Sequence, residues 1–380
     1  MSKNIEEHFV KFNIPWGFSE TVFLYDSANF QDFLNLSESE LKDICTGPGG
    51  RLKHIIKSGH FNIEFLSTIC ETAYAAKRID RLEDNFLKSL LQHQSVLNYF
   101  QQASTRTLNS FSGAQARLGM MRKNVTEIAT TSTVKGESEK DSLRTQSSYY
   151  DVIVCRYNSD VYDEFAVWAL SNCDREIPFI NGGSGTKEHP TQAILDYYTS
   201  WRAFNGKMDN KVHVMCGDPR NSRTIKSRSK LYALHKNQTF IYVADHDHQI
   251  DEETEAYVRD LGVKVEKVVN LRDVVEIADE INMTRKQTEY MTGSKPVLYP
   301  DRLIFKASYL DLMKDSAILT HPLPKRNEID PAVDYMKKNP KVMLWRALRD
   351  GMWARVGLHA YLSGVDSQIM QHYERIKSAI

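Results

Sequence analysis

Ser104-Thr105-Arg106-Thr107 is the stretch from which the fold and function of this chain are best read. The apolar run 96–100 (Val-Leu-Asn-Tyr-Phe) precedes it and predicts a strand, and residues Phe111 to Leu118 predict a helix. Hydroxyl groups, an arginine and the N–H groups of a helix N-terminus suit an oxyanion such as phosphate. A plain helix cap beside an accidental arginine is the alternative, because serine and threonine commonly cap helices.

The composition indicates a globular chain with more than one domain. Its 380 residues exceed one ordinary core, and 41% are hydrophobic while 26% are charged. The formal net charge is zero, so we expect no nucleic-acid or membrane partner. The five cysteines show no metal-ligand spacing, and neither a signal segment nor a transmembrane-length apolar run is found. We therefore expect a reduced, cytoplasmic protein.

Strand and helix patterns alternate from about residue 95 onward, which predicts the α/β class with two domains, each a doubly wound parallel sheet flanked by helices. The breaker Asn205-Gly206 divides the series, so we predict one domain over 1–204 and a second over 205–349. A C-terminal helix over 350–380 is expected to pack back on the first domain. The predicted strands lie near 95–101, 124–129, 151–156, 177–180, 212–218, 239–244, 263–269, 279–283 and 316–320.

Two helical regions flank this series. Ser37-Glu38-Ser39-Glu40 is typical of a capped helix start, and residues 60–92 have a helical pattern whose role is not readable. A further helix is predicted over about 191–204.

Several polar clusters follow the predicted strands. Ligands bind at the carboxyl ends of parallel strands, so the clusters together indicate one shared site. Each cluster alone has a simpler interpretation, such as a surface lysine, a salt-bridged arginine or a capping histidine. The clusters are Lys135-Gly136-Glu137-Ser138, Arg156, His189-Pro190-Thr191-Gln192, Arg223, Thr284-Arg285-Lys286-Gln287 and His321-Pro322-Leu323-Pro324.

This ordered set resembles the aspartate/ornithine carbamoyltransferase family over roughly residues 95 to 362. The family moves the carbamoyl group of carbamoyl phosphate to an amine and releases phosphate. Positioning and fixed positive charge suffice for that reaction, so we expect no metal and no cofactor. The resemblance also implies a homotrimer in which the loop of Lys135, with Thr131 or Ser132, reaches the neighbouring subunit's site. Further matching stretches are Ser110-Phe111, Gly217-Asp218, Ser222-Arg223-Thr224 and Asp350-Gly351 with Arg355.

The resemblance implies roles for the matched residues. The hydroxyls and arginine of the Ser104 stretch would bind phosphate, and Gln192 would hold the amide end of the carbamoyl group. The implied catalytic residues are Arg106, Thr107, Lys135, Arg156 and His189. The implied carbamoyl phosphate ligands are Ser104, Thr105, Arg106, Thr107, Lys135, Arg156, His189 and Gln192. The implied acceptor ligands are Lys135, Arg223, Arg285, Gln287, Pro322 and Leu323.

The acceptor side favours aspartate over ornithine. Two carboxylates need two separated cations, and Arg223 and Arg285 meet that need. Ornithine members of the family tend to carry Cys at the position of Pro322 and a Ser-Met-Gly motif, which this sequence lacks. We expect a role in de novo pyrimidine biosynthesis. The alternatives are a carbamoyltransferase with another amino-acid acceptor and a non-catalytic relative with a regulatory role.

The chain also departs from the family pattern at five positions. Each departure replaces a charged residue of the family or, at one position, an arginine by a lysine, which cannot form the same planar fork. Because the phosphate and carboxylate binders remain, we interpret the changes at Gln102 and Tyr290 as an altered closure mechanism, whereas Leu108, Ser112 and Lys325 keep the non-catalytic alternative open. The positions are Gln102, Leu108, Ser112, Tyr290 and Lys325.

Overall fold

The computed structural model describes residues 29–82, 85–126, 138–286, 299–336 and 338–379. Its strands are β1 Ser95–Phe100, β2 Met121–Val125, β3 Val152–Arg156, β4 Phe179–Asn181, β5 Val212–Cys216, β6 Thr239–Val243, β7 Lys264–Val268, β8 Glu280–Met283 and β9 Ile318–Thr320. Its helices are α1 Glu38–Ile44, α2 Ile63–Asp80, α3 Phe86–Leu90, α4 Thr105–Arg117, α5 Glu139–Tyr149, α6 Tyr162–Ser171, α7 Pro190–Ala203, α8 Arg223–Tyr232, α9 Glu252–Asp260, α10 Leu344–Leu362 and α11 Asp366–Ala379. The predicted α/β class with two parallel sheets is confirmed.

The chain folds into two compact units. The first contains the described residues up to His60, then Glu71–Thr191 and the chain from Arg355 onward. The second contains Phe61–Cys70 and Gln192–Ala354. Our boundary at Asn205-Gly206, and the assignment of one ligand to each domain, remain predictions.

In the first unit, the strand order β2-β1-β3-β4 reverses once, between β1 and β3. Phe100 at the end of β1 lies opposite Arg156 at the end of β3. The backbone N–H groups of Gln101 and Gln102 both donate to the carbonyl oxygen of Arg156, at 3.0 and 3.2 Å. The connection that leads to Ser104 therefore begins beside Arg156, at the point where open α/β sheets bind ligands.

The second unit repeats this arrangement with the order β7-β6-β5-β8-β9, which reverses between β5 and β8. Cys216 ends β5 opposite Met283 at the end of β8. The backbone N–H of Thr284 donates to the Cys216 carbonyl at 2.8 Å, and the Thr284 hydroxyl donates to the same oxygen at 3.1 Å. The residues that follow β5 and β8 thus start from neighbouring positions at one edge of the sheet.

The long C-terminal helix α10 contacts α4 within the first unit. Arg355 is buried, donates to the Ser110 hydroxyl at 2.9 Å and lies 4.7 Å above the Phe111 ring centroid. His359, also buried, meets the same ring edge-on, with centroids 5.8 Å apart. Cation–π and aromatic packing of this kind fix the helix that begins just after Ser104.

Most predicted elements are present; two of them differ, and three further helices are present that the sequence did not predict. β2 runs over Met121–Val125 and not 124–129; its first four side chains are exposed, and residues 127–129 lie outside the described part. The C-terminal stretch forms two helices and not one, since the chain turns at Gly364 with φ +70°. Helices α5, α6 and α9 were not predicted. The capped start of α1 is confirmed by reciprocal hydrogen bonds between Ser37 and Glu40.

None of the helices in the described ranges is long and apolar enough to cross a membrane. All five cysteines lie in those ranges, and none of them forms a disulfide.

Gly217 provides a test of the β5–β8 junction. Its φ is +129°, and a β-carbon there would collide with the Thr284 carbonyl oxygen. We expect Gly217→Ala to lower the free energy of unfolding by about 2–4 kcal/mol. Gly262 is the matched control, because its φ is +84° but a β-carbon would meet nothing within 4 Å. Gly262→Ala should cost about 1 kcal/mol in urea unfolding. If both variants lowered the free energy of unfolding equally, the collision with the Thr284 carbonyl oxygen would not be what requires glycine at 217.

Candidate functional site

The Ser104 stretch lies at the N-terminus of α4, as the sequence predicts. Ser104 is the N-cap residue, but its side chain does not cap the helix; its hydroxyl donates to the Thr107 hydroxyl at 3.0 Å. Thr105 and Arg106 are exposed, and Thr107 is buried. The simple capping alternative therefore does not explain these hydroxyl groups. The N–H groups and positive dipole of the first helical turn are oriented as an anion site requires.

Arg156 and His189 converge on Gly183, which connects β4 to the following loop. A β-carbon on Gly183 would lie 2.8 Å from His189 Nε2 and 3.0 Å from Arg156 Nη1. Only glycine fits at position 183, because the imidazole and the guanidinium occupy the space that a β-carbon would need. The structure brings these two predicted residues together at the sheet edge that also carries the start of α4.

Hydrogen bonds fix the loop that holds Gly183. The Asn181 side-chain oxygen accepts the N–H groups of Gly183 and Ser184 at 2.6 and 2.9 Å. The Ser184 hydroxyl in turn accepts the N–H of Tyr157 at 3.1 Å. Asn181 is buried, and no feature of the sequence indicated its role. These bonds hold Gly183 in place beside His189 and Arg156, and fixed surroundings of this kind are what preorganised electrostatic stabilisation requires.

Gln192, in the first turn of α7, uses its amide nitrogen within its own helix. Gln192 Nε2 donates to Asp196 Oδ1 at 2.9 Å, one helical turn further on. The amide is therefore oriented with its carbonyl oxygen directed away from the carboxylate. An oxygen so oriented is suited to accept a hydrogen bond from an –NH2 group.

In the second unit, Arg223 and Arg285 follow the two strands at the reversal point. Arg223 is the first residue of α8, capped by Ser222, whose hydroxyl accepts the N–H of Ile225 at 3.4 Å. Arg285 follows Thr284 at the end of β8, and both arginine side chains are partly exposed. Two partly exposed guanidinium groups that follow neighbouring strands are the arrangement expected for binding a ligand with two negative charges.

Lys286, the neighbour of Arg285, anchors the end of β8. Lys286 Nζ lies 3.0 Å from Asp245 Oδ2, and Arg302 makes a second ion pair with the same carboxylate. Lys286 is buried, whereas Asp245 is partly exposed and Arg302 is exposed, so the ion pairs join the interior of the unit to its surface. The sequence did not predict Asp245, because its partners are far away along the chain.

The His321-Pro322-Leu323-Pro324 loop is organised by a buried hydrogen bond between His321 and Glu328. The Leu323 N–H donates to His321 Nδ1 at 2.7 Å, so Nε2 carries the proton and donates to Glu328 Oε1, also at 2.7 Å. Burial lowers the pKa of His321 despite the attraction of Glu328. This hydrogen bond holds Leu323 at φ +58°, which is uncommon for leucine. Pro322 and Leu323, predicted acceptor ligands, are both partly exposed in this loop.

Three of the departures from the family pattern have partners. Gln102 accepts a hydrogen bond from Arg156 Nε at 3.1 Å, and the Ser112 hydroxyl donates to Asn124 at 3.4 Å. Lys325 Nζ lies 2.6 Å from Asp334 Oδ2. Leu108 is partly buried on α4. Gln102 is thus a neutral residue bound directly to a predicted catalytic arginine.

Some predicted site residues lie outside the described residues. They are Lys135 and Gln287, together with Thr131, Ser132 and Tyr290.

Two α/β units, each with hydroxyl or guanidinium groups at the reversal point of a parallel sheet, define a class of proteins that bind anionic ligands at strand ends. The carbamoyl-phosphate-binding domain of aspartate/ornithine carbamoyltransferases matches residues 53–202. The aspartate carbamoyltransferase catalytic subunit of Finegoldia magna is 31% identical over 314 residues, covering 82% of this chain and 98% of that protein. This chain belongs to the aspartate/ornithine carbamoyltransferase family.

Other similar proteins are also aspartate carbamoyltransferases. The chloroplastic aspartate carbamoyltransferase 1 of Pisum sativum is 32% identical, covering 81% of this chain and 78% of that protein. A crystal structure of aspartate transcarbamoylase from Trypanosoma cruzi with carbamoyl aspartate and phosphate aligns with a TM-score of 0.69. It is 28% identical, covering 80% of this chain and 94% of that one.

The start of α4 can be tested by anion binding. Arg106→Ala should weaken the binding of carbamoyl phosphate about 10- to 100-fold in calorimetric titration, because a charge-assisted hydrogen bond contributes roughly 1.5–3 kcal/mol. Arg117→Ala is the control, since Arg117 ends the same helix and lies 3.8 Å from Asp80. Undiminished affinity in a folded Arg106→Ala protein would remove Arg106 from the site.

Proposed function

We propose that this chain transfers the carbamoyl group of carbamoyl phosphate to the amine of L-aspartate, giving N-carbamoyl-L-aspartate and phosphate. The observation that carries the proposal is the convergence of Arg156 and His189 on Gly183 at the reversal point of the first sheet, where the Ser104 stretch also begins. Membership of the carbamoyltransferase family, with 98% of the Finegoldia magna catalytic subunit covered, supports it.

The chemistry needs charge and position more than a nucleophile from the protein. The aspartate nitrogen, as the free amine, bonds to the carbamoyl carbon, and the bond from that carbon to the phosphate oxygen breaks with its electron pair leaving on phosphate. The nitrogen gives up one proton, which the departing phosphate takes. Negative charge develops first on the carbamoyl oxygen and then on phosphate. Donors that are already oriented stabilise both charges without reorganisation.

Each group of the first unit has a place in this reaction. Ser104, Thr105 and Arg106, with the first N–H groups of α4, bind the phosphate. Thr107, Arg156 and His189 donate to the carbamoyl oxygen. Lys135 is proposed as a further cation at the phosphate. These assignments follow the family motif residue by residue.

Gln192 is proposed to bind the other end of the carbamoyl group. Its amide nitrogen is engaged by Asp196, so its oxygen accepts from the carbamoyl –NH2. A donor and an acceptor on opposite ends of the planar carbamoyl group fix its rotation about the bond to phosphate.

The acceptor groups belong to the second unit. Arg223 and Arg285 are proposed to bind the two carboxylates of aspartate, with Gln287, Pro322 and Leu323 completing the contacts. Ornithine carries an additional ammonium group, which two arginines would repel. Aspartate is therefore the acceptor that the charge pattern favours.

We further propose a homotrimer with sites shared between subunits, a place in de novo pyrimidine synthesis and a cytoplasmic location. The shared site rests on the family motif at Lys135. None of the five cysteines forms a disulfide, which is consistent with a reducing compartment.

A carbamoyl-transfer assay tests the function directly. Purified protein with carbamoyl phosphate should release phosphate and form N-carbamoyl-L-aspartate with aspartate. It should turn over ornithine about 10- to 100-fold more slowly, because a charge-assisted contact of roughly 1.5–3 kcal/mol is missing. Turnover with another amino acid, or with none, would overturn the proposal in favour of the alternatives above.

Acceptor recognition gives a sharper prediction. Arg285→Ala should raise the KM for aspartate and lower kcat together, because an unpaired carboxylate is left in a partly desolvated site and the amine loses its orientation. Carbamoyl phosphate affinity, measured without aspartate, should change by less than about 1 kcal/mol. Arg272→Ala is the control, since Arg272 pairs with Glu276 on an exposed surface of the same unit. Loss of carbamoyl phosphate binding with aspartate saturation intact would mean that the two ligands are assigned wrongly.

Shared sites predict complementation between inactive chains. Lys135→Ala and Arg106→Ala proteins should each be nearly inactive, whereas trimers reassembled from both should regain part of the activity, because some interfaces then join two intact halves. Each variant dissociated and reassembled alone serves as the control. The absence of recovery in verified mixed trimers would favour sites built within one chain.

A further inference from the structure

A buried polar network surrounds Glu280 in the second unit. Glu280 is the first residue of β8 and is 1% exposed, yet four side chains meet it. Its carboxylate accepts from the Ser200 hydroxyl at 2.9 and 3.0 Å and from the Thr320 hydroxyl at 3.0 Å. His213 Nδ1 lies 3.1 Å away, and Arg228 makes an ion pair with it.

Arg228 links this carboxylate to a second one. The Arg228 side chain is fully buried on α8, and its Nη1 lies 3.7 Å from Asp196 Oδ2 on α7. Its guanidinium also lies 4.3 Å from the Tyr232 ring centroid, which restricts its rotation. Burial alone would raise the pKa of Glu280, but the attraction of Arg228 and the hydrogen bond of His213 lower it. Both members of the pair are therefore charged inside the unit.

Three side chains on one face of helix α7 connect this network to Gln192. Gln192, Asp196 and Ser200 are spaced at i, i+4 and i+8, so they share one face of the helix. Ser200 contacts Glu280, Asp196 contacts Arg228, and Gln192 donates to Asp196. The ion pair thus acts at one end of this row of side chains and the candidate carbamoyl ligand Gln192 stands at the other.

Stability alone does not account for such a network. Removing two charges from water carries a large desolvation cost, and apolar residues of similar volume often stabilise a core at least as well. What a buried ionic cluster can supply is a single arrangement of its members. The last member of the cluster is the Gln192 amide, whose –NH2 and C=O groups are close in size. The neighbouring Asp196 carboxylate selects the orientation in which –NH2 faces it.

We propose that Arg228, held by Glu280, is a positioning residue that fixes the Asp196 carboxylate and through it the amide orientation of Gln192, so that the Gln192 oxygen faces the carbamoyl –NH2. The inference rests on the proposed function and adds residues of α8 and β8 to it. Neither Arg228 nor Glu280 touches the substrate in this account. Without the ion pair, the Asp196 side chain rotates more freely and Gln192 also adopts the flipped amide orientation. In that orientation the Gln192 –NH2 faces the carbamoyl –NH2, and no hydrogen bond forms between the two donors.

A double-mutant cycle separates positioning from general support of the fold. Arg228→Met with Glu280→Gln removes both charges together and keeps the side chains similar in size. We expect this pair to lower kcat/KM for carbamoyl phosphate about tenfold in the wild-type background. In the Gln192→Ala background the same pair should change kcat/KM less than about twofold, because the residue through which it acts is gone.

Arg202→Met with Asp350→Asn is the matched control. It removes another ion pair with a buried carboxylate, and Arg202 lies on the same helix as Gln192. Its effect on kcat/KM should be the same in both backgrounds. If Arg228→Met with Glu280→Gln does not fold, Arg228→Lys replaces it, since one ammonium cannot serve two carboxylates as a planar guanidinium does.

The outcomes distinguish the inference from the function on which it rests. A wild-type protein without carbamoyl transfer overturns both. An active wild type in which the Arg228 and Glu280 changes reduce kcat/KM equally with and without Gln192, or in which Gln192→Ala has no effect, overturns the inference and leaves the function intact.

Discussion

The reversal of strand order within each sheet is the constraint on which the arrangement of the functional groups depends. Two adjacent parallel strands end at the same edge, but the chain leaves them in opposite directions, so the edge between them is not covered by a crossover helix. In the first sheet this edge lies between β1 and β3, which are followed by the Ser104 stretch and Arg156. In the second it lies between β5 and β8, which are followed by Arg223 and Arg285. The positive groups of each unit therefore gather without any long excursion of the backbone.

Fixed orientation, and not reactivity, is what the structure provides around these groups. Asn181 holds the loop of Gly183, and Glu328 holds His321, each by hydrogen bonds to buried groups. Asp196 orients Gln192 in the same way. Each of these supporting residues is an oxygen acceptor, as expected where the groups to be held are N–H donors. A reaction that depends on donors aimed at developing negative charge gains from such support, because no reorganisation is needed when the charge appears.

Much of the fold could be predicted from the sequence, and the reasons for the exceptions are physical. The inner strands are apolar runs bounded by turn residues, and such runs are readable. Helix α6 was missed because Tyr162 to Leu170 are all buried, so it lacks the amphipathic stripe by which helices are recognised. Strand β2 was misplaced because it lies at an edge with exposed polar side chains. The motif residues were found through family resemblance. The Arg228–Glu280 pair depends on a contact between distant segments, and Asn181 and Glu328 act through the geometry of short loops, neither of which periodicity can show.

The discontinuous course of the first unit bears on how the chain folds as it is synthesised. This unit needs Arg355 and the residues after it, among them His359, which packs on Phe111. The second unit is completed by Ala354, so all of its residues are translated before the last part of the first unit. Domains usually fold from the N-terminus onward as they leave the ribosome. Here the order is inverted, because the first unit is completed after the second and part of its apolar surface stays uncovered until then. A nascent chain stalled before α10 is complete would expose Phe111 to chaperones.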